Sequence, residues 1–151
     1  MPLTPEEATE HSLQFGDLIY GESSLVRSGI AKTLPVVIGG EGTIFAWHTR
    51  RLELDLHRAD PVFISEALSS KPVRRIVEGR ATQTALTGMT VADYLSTPLP
   101  LPELPEQQSI SAHLGEADRA ISAALDERNQ LQQAKSGLLQ DLLTGKVRVS
   151  V

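Results

Sequence analysis

Residues 99–149 read LPLPELPEQQSISAHLGEADRAISAALDERNQLQQAKSGLLQDLLTGKVRV, and the periodicity of this segment sets the architecture expected for the whole chain. Its apolar residues recur at alternating spacings of four and three, the heptad pattern of a helix that packs along one seam. Prolines precede the pattern, and Gly145 follows it as a residue that adopts the left-handed cap conformation without steric cost. The segment therefore predicts one long helix over about residues 105–144 and a short tail over residues 145–151.

The apolar seam of this helix has two interpretations. In one, the helix folds back on its own domain, and in the other, it binds a partner helix. The basic residues Arg128 and Lys135 occupy seam positions and favour a partner, because such residues exchange stability for specificity of alignment. We therefore predict a partner-binding surface formed by Ile110, Leu114, Ile121, Arg128, Leu131, Lys135, Leu138 and Leu142.

The first hundred residues carry shorter patterns. Residues 13–20 predict a Gly-Asp turn followed by a short apolar strand. Brief apolar or alternating runs predict further strands over residues 25–30, 34–38, 43–48 and 50–56. Helical signals predict a short helix over residues 4–10, a helix from Pro61, a break at Lys71 and Pro72, a second helix ending at Gly79, and a capped turn over residues 90–94. Residues 98–102 predict an extended segment. The chain is thus expected to be an α+β protein, with a small mixed domain over residues 1–104 followed by one long helix of coiled-coil type.

The composition is that of a globular protein, with 40% hydrophobic and 22% charged residues. No apolar run approaches the roughly 18 to 20 residues of a membrane span, and the acidic N-terminus lacks the pattern of a signal peptide. The absence of cysteine excludes disulfides and thiolate metal sites and suits the cytoplasm, where we expect the protein. A net charge of -5 argues against broad, nonspecific binding of polyanions.

Catalytic signatures are missing from the sequence. The glycines at residues 39–42 continue into neither a dinucleotide nor a phosphate-binding motif, and therefore predict a turn. The four histidines lack metal-ligand spacing, and the sequence contains no GxSxG motif. We therefore predict no enzymatic activity, no cofactor and no metal site.

One local cluster of positive charge stands out against the acidic total. Its arginines and lysine are suited to phosphates, and the hydroxyls and amide that follow are suited to base edges. The alternative is a solvated helix face with no ligand. The predicted DNA-binding residues are Lys71, Arg74, Arg75, Arg80, Thr82, Gln83 and Thr84, with Arg50 and Arg51 as a second basic pair.

These motifs together resemble a known family. The segment PLPLPELPEQQ at residues 98–108, the long helix and LLQDLLTGKVRV at residues 138–149 resemble the specificity subunits of type I restriction-modification systems. Upstream, TPEEATEHSLQFGDLIY at residues 4–20 resembles the acidic lead into the family's Gly-Asp strand. The segment ATQTALTGMTVADYLSTPLPLP at residues 81–102 resembles the end of a target recognition domain.

The resemblance implies a noncatalytic DNA-recognition subunit. In that family, a target recognition domain reads one half of a bipartite DNA site. The helix that follows pairs antiparallel with its counterpart, sets the half-site spacing and docks methyltransferase subunits. The implied partners are therefore DNA, the methyltransferase subunits and, through them, the restriction subunit, with a homodimer or pairing to another specificity polypeptide. Methylation and cleavage are expected from those partners.

The length departs from the family pattern. A family member usually has two recognition domains and two helices, whereas this chain has one helix and is expected to lack the front of its recognition domain. Three arrangements remain open: a half-subunit that dimerises, a fragment completed by another polypeptide, and a truncated remnant. The alternative function is a truncated interaction module that dimerises or binds the methyltransferase through its helix without reading DNA.

Overall fold

Strand β1 (Leu18–Gly21) is the centre of the first of two small antiparallel sheets in this computed structural model. The structure describes residues 12–37, 43, 48–83 and 86–149, with Gln83 described only as a strand residue. The chain divides into a first unit, Met1–Ser111, and a second unit, Ala112–Val151. The remaining elements are β2 (Ser23–Ser24), β3 (Thr33–Pro35), β4 (Thr49–Leu52), α1 (Pro61–Ser69), α2 (Lys71–Arg80), β5 (Thr82–Gln83), β6 (Thr87–Gly88), α3 (Val91–Leu95) and α4 (Leu104–Leu143). The predicted α+β class with a long C-terminal helix is confirmed.

The predicted turn before β1 is present. Gly16 has a φ of +90°, and a Cβ atom at this position would lie 2.7 Å from Cδ2 of Leu56, so a larger residue would be both strained and crowded. The Asp17 carboxylate accepts a hydrogen bond from the Gln14 backbone N–H at 2.8 Å. β1 then pairs with β3 on one side and β4 on the other, in the order β3-β1-β4.

Two strand predictions are wrong. Residues 25–30 do not return along β1: Ser23–Ser24 forms β2 in a second sheet of order β2-β6-β5, and Arg27–Gly29 forms a 3-10 turn. The predicted strand over residues 50–56 ends at Leu52, because the Asp55 carbonyl accepts the backbone N–H groups of Arg58 and Ala59 and closes a turn.

The other strand predictions have mixed outcomes. The run predicted over residues 34–38 forms β3 at Thr33–Pro35 and ends earlier than expected. The predicted helix over residues 4–10 lies outside the described residues, as do most of the strand predicted over residues 43–48 and the glycine turn at residues 39–42.

The helix signals of the first unit correspond to observed helices. Asp60 caps α1 by accepting the Phe63 N–H at 2.8 Å, and Pro61 occupies the first turn. The break predicted at Lys71 and Pro72 is wrong by one residue, because it lies at Ser70 and the proline fits the first turn of α2, where its missing N–H is not needed. The Thr90 hydroxyl caps α3 by accepting the Asp93 N–H at 3.1 Å.

The core of the first unit lies between the β3-β1-β4 sheet and helices α1 to α3. Its aromatic centre is the stacked pair Tyr20 and Tyr94, whose ring centroids are 4.0 Å apart. The Tyr94 hydroxyl is hydrogen bonded to the Thr33 hydroxyl. Burial raises the pKa of Tyr94 to about 12, although the Thr33 hydrogen bond opposes this effect, and burial also raises the pKa of Tyr20. The aliphatic members of the core are Leu18, Ile30, Phe63, Ile64, Leu68, Val73 and Val77.

The raised tyrosine pKa values predict a loss of stability at alkaline pH. Because the pKa of Tyr94 is higher in the folded than in the unfolded state, its neutral phenol stabilises the fold fully below pH 10. This stabilisation is lost as the pH rises from about 10 to about 12. Tyr20 and Tyr94 are the two tyrosines of the chain, so phenolate absorbance reports on both. We expect native phenolate to appear above pH 10 and denatured phenolate near pH 10. A native titration centred at pH 10, with unchanged circular dichroism, would contradict this account.

Helix α4 extends over 40 residues, from Leu104 to Leu143, which corresponds to about 60 Å at about 1.5 Å per residue. Its one buried residue is Gln107. Gly145 follows the helix with a φ of +72°, as the sequence predicts, and Lys146 lies 3.3 Å from the Asp141 carboxylate. None of the helices in the described ranges has an apolar stretch of the length needed to cross a bilayer.

Candidate nucleic-acid interface and docking seam

Helix α2 separates the predicted basic residues by its two faces. Val73 and Val77 are one turn apart and buried, so they fix which face of α2 contacts the core. Lys71 and Arg75 are also one turn apart and are exposed on the opposite face. Within the described part of the chain, neither side chain has an ion pair or hydrogen bond. These two cations are therefore available to an external anion.

Arg74 and Arg80 make hydrogen bonds inside the first unit instead. The Arg74 guanidinium donates to the carbonyl of Ser28 at 3.2 Å and to the Glu78 carboxylate at 3.3 Å, and it ties the 3-10 turn to α2. The Arg80 guanidinium donates to the Asp93 carbonyl at 3.0 Å and to the Ser96 hydroxyl at 2.9 Å, and so links α2 to α3. Both arginines hold elements together while remaining positively charged.

The second basic pair lies on β4, an element of the first sheet. Arg50 Nε donates to the Glu22 carboxylate at 2.6 Å, and this hydrogen bond raises the pKa of the Arg50 guanidinium above its ordinary value. Arg51 donates to the Ser12 carbonyl at 2.7 Å, and its Nε lies 3.8 Å from the buried Asp17 carboxylate. Because neighbouring strand residues point to opposite faces, these two arginines do not share a surface.

Two of the predicted polar contact residues, Thr82 and Gln83, form β5. Thr82 is exposed, and its hydroxyl donates to the Gly88 carbonyl at 3.3 Å. The Gln83 side chain and all of Thr84 lie outside the described residues.

Two exposed leucines adjoin the β2-β6 ladder and were missed by the sequence reasoning. The β2-β6 ladder ends where Ser24 pairs with Thr87, so Leu25 directly follows β2 and Leu86 directly precedes β6. Their side chains are 84% and 45% exposed. Aliphatic side chains of this kind contact the thymine methyl group in the DNA major groove. The sequence showed Leu25 only as part of an apolar run, which predicted a strand.

The predicted docking seam is exposed along α4. Ile121, Leu131 and Leu138 are 58%, 64% and 58% exposed. Arg128 makes a hydrogen bond to its neighbour Asn129 at 3.4 Å, and Lys135 is exposed. The remaining seam residues are Ile110 and Leu114, which are 36% and 39% exposed, and Leu142, which is half-buried.

Gln107 is a buried structural position that sequence reasoning named only as part of the PEQQ motif. Its side-chain amide donates to the carbonyls of Arg58 at 2.9 Å and Pro102 at 2.8 Å, and its oxygen accepts the Asp60 N–H at 2.9 Å. One turn later, the Ser111 hydroxyl donates to the Asp60 carboxylate at 2.6 Å. These bonds attach the first two turns of α4 to the rest of the first unit. The sequence signal for them is the PEQQ motif, which contains Gln107.

The described residues contain no group of three His, Asp or Glu side chains able to hold a metal ion. The features that distinguish the first unit are instead the exposed cations, the hydroxyl-bearing hairpin and the two exposed leucines.

Comparison with known proteins gives relatives from Methanocaldococcus jannaschii. Over 137 residues, 91% of this chain, the sequence is 37% identical to the type I restriction enzyme MjaVIII specificity subunit. Over 93 residues, 61% of this chain, it is 36% identical to a protein named as a candidate type I restriction enzyme MjaX specificity subunit. No family model matches the chain.

The matched regions are short compared with the relatives themselves. They cover 32% of the MjaVIII protein and 21% of the MjaX protein, so the chain spans about a third or less of the length of either. The resemblance inferred from the proline-rich segment and the long helix is confirmed. Over 91% of its own length, this chain is a homologue of type I restriction enzyme specificity subunits.

Proposed function

We propose that this chain is a DNA-recognition part of a type I restriction specificity subunit. The observation that carries the proposal is the 137-residue match to the MjaVIII specificity subunit, which includes most of the first unit and the long helix. In this proposal the first unit reads part of a bipartite target, and α4 docks methyltransferase subunits and, through them, the restriction subunit. The chain is then a noncatalytic adaptor that works in the cytoplasm.

The DNA surface in this proposal is built around α2 and the β5-β6 hairpin. Lys71 and Arg75 are exposed cations without protein partners in the described residues, so they are suited to phosphate oxygens. Arg74 and Arg80 add charge and hold α2 in place through their bonds to Ser28 and Asp93. Local charge matters here because the whole chain carries a net charge of -5.

Neutralising the two exposed cations is expected to weaken DNA binding. The variant with Lys71→Gln and Arg75→Gln removes two phosphate contacts and keeps the core face of α2 intact. We expect about a tenfold weaker affinity for a mixed-sequence duplex at low salt. The slope of log affinity against log salt should fall by about 1.8, because each lost contact to B-DNA contributes about 0.9. Fluorescence anisotropy across a salt series measures both quantities.

A charge-matched control keeps this test specific. Arg119→Gln with Arg148→Gln removes the same two charges from the second unit, and should leave the salt slope unchanged. Equal slopes for the parent and the α2 variant, at unchanged thermal stability, would reject α2 as the phosphate surface. Binding of methyltransferase without any binding of DNA would favour the alternative of an interaction module.

A further inference from the structure

We infer that a notch between β3 and α2 binds one phosphate group of a nucleotide, with Lys32 as its main cation. The β3-α2 notch has a volume of about 390 Å³, and its lining includes Ala31, Lys32, Leu34, Leu68, Ser69 and Arg74. The inference rests on the proposed function in one respect, because the DNA backbone is then the expected source of the phosphate. A free mononucleotide offers the same group, and the two sources give different results in the test.

Lys32 lines the notch just before the start of β3. Its side chain is exposed, and its ammonium has no ion pair or hydrogen bond within the described part of the chain. Ala31 before it has a φ of +49°, a left-handed conformation that is uncommon for a residue with a side chain. The Ala31 N–H donates to the Gly21 carbonyl at 3.0 Å, and the Ala31 carbonyl accepts the Thr33 hydroxyl at 3.2 Å. These bonds hold the turn from which Lys32 extends.

Arg74 contributes the second cation of the notch. Its guanidinium donates to the Ala31 carbonyl at 3.4 Å, so both basic residues of the notch are attached to the same turn. Arg74 also donates to the Glu78 carboxylate at 3.3 Å, which offsets part of its charge. None of the described residues that line the notch is acidic. A phosphate oxygen therefore reaches the Lys32 ammonium without a competing carboxylate.

The rest of the lining suits the phosphate oxygens and the sugar of a nucleotide. Ser69 is the exposed last residue of α1, and its hydroxyl has no hydrogen bond within the described ranges, so it is available to a phosphate oxygen. Leu34, which is 63% exposed, and the buried Leu68 provide apolar contacts for the sugar. The volume of about 390 Å³ lies in the range of roughly 300–1,000 Å³ that is typical of small-molecule sites.

The notch adjoins the proposed DNA surface on α2. Lys71 follows Ser69 by two residues and lies one helical turn before Arg74, which lines the notch. Duplex DNA carries one negative charge per about 1.7 Å of its axis, so a backbone bound at Lys71 brings further phosphates close to it. The position of the notch therefore favours the DNA backbone over a free nucleotide as the source of the phosphate.

The substitution Lys32→Gln tests the notch with DNA. For a mixed-sequence duplex, the slope of log affinity against log salt should fall by about 0.9, which is the contribution of one phosphate contact to B-DNA. Combining it with Lys71→Gln and Arg75→Gln should lower the slope by about 2.7 in total. Lys146→Gln makes the same substitution in the second unit and should leave the slope unchanged. Fluorescence anisotropy across a salt series measures all of these variants.

A phosphate probe tests the notch without DNA. Thymidine 5′-monophosphate should shift the backbone amide signals of Lys32 and Ser69 in NMR spectra of the full chain, whereas thymidine, which lacks the phosphate, should not. The affinity for this probe should fall at least about tenfold in the Lys32→Gln variant and severalfold in the Ser69→Ala variant, because each removes a contact to the phosphate.

The two measurements together decide the inference. An unchanged salt slope combined with probe binding that depends on Lys32 would assign the notch to a free nucleotide. An unchanged slope without such probe binding, at unchanged thermal stability, would overturn the inference. If the parent chain binds no DNA, the proposed function fails, and the titration with thymidine 5′-monophosphate alone decides whether the notch binds phosphate.

Discussion

Replacement of Gln107 by leucine is expected to lower the free energy of unfolding of the first unit by about 3 kcal/mol. The leucine side chain has a similar size but leaves the carbonyls of Arg58 and Pro102 and the N–H of Asp60 without their partner. Gln107 is fully buried, so water replaces these bonds poorly. Chemical denaturation followed by circular dichroism measures the change.

The neighbouring glutamine is a matched control. Gln108→Leu makes the same substitution at an exposed position of α4 and should change stability by less than about 0.5 kcal/mol. A third variant, Gln107→Glu, keeps the acceptor for Asp60 and loses the two amide donations. Equal stabilities for the Gln107→Leu and Gln108→Leu variants would show that the three hydrogen bonds contribute nothing to the first unit.

Replacement of Leu131 by aspartate is expected to abolish pairing of α4 with a second copy at micromolar concentrations. Leu131 is 64% exposed and belongs to the predicted docking seam of α4. The substitution introduces a carboxylate into the apolar seam. We expect a rise of at least about a hundredfold in the dissociation constant, because burying an unpaired carboxylate in an apolar layer costs several kcal/mol.

Gln133→Asp is the control for this change. It introduces the same charge two residues away, on the outer face of the helix, and should leave the dissociation constant close to that of the parent. Light scattering measures both variants, and a pull-down with the methyltransferase separates self-pairing from partner docking. Unchanged association of the Leu131→Asp variant would show that the seam is not the pairing surface.

The sequence predicted helices α1, α3 and α4 correctly, because the residues that specify each helix lie within or next to it. The four-three repeat of α4, the proline at the start of α1 and the threonine cap of α3 each lie within a few residues of the structure they specify. Strand pairing was harder to predict, because β2 is only Ser23 and Ser24 and contains no apolar alternation. Its place beside β6 depends on a residue 63 positions away, as the register of Ser24 with Thr87 shows.

The sequence predicted which basic residues belong to the candidate site, but not which of them form hydrogen bonds within the protein. The sequence grouped Lys71, Arg74 and Arg75 because they are close along the chain. The structure separates them by what each touches, since Arg74 reaches a carbonyl 46 residues away while the other two are exposed. The residue types near Arg74 in the sequence do not show that its side chain will reach a distant carbonyl. The same reason hid the role of Gln107, whose partners lie up to 49 residues away.

The Gln107 joint has a consequence for how such proteins can be recombined. All three of its hydrogen bonds end on backbone atoms, namely two carbonyls and one N–H. Side chains at the acceptor positions are therefore free to change without altering the joint. A chimaera that grafts another domain in front of α4 needs to reproduce that backbone geometry and the Asp60 carboxylate, which accepts the Ser111 hydroxyl. The Gln107 contacts are therefore suited to be the junction of such chimaeras.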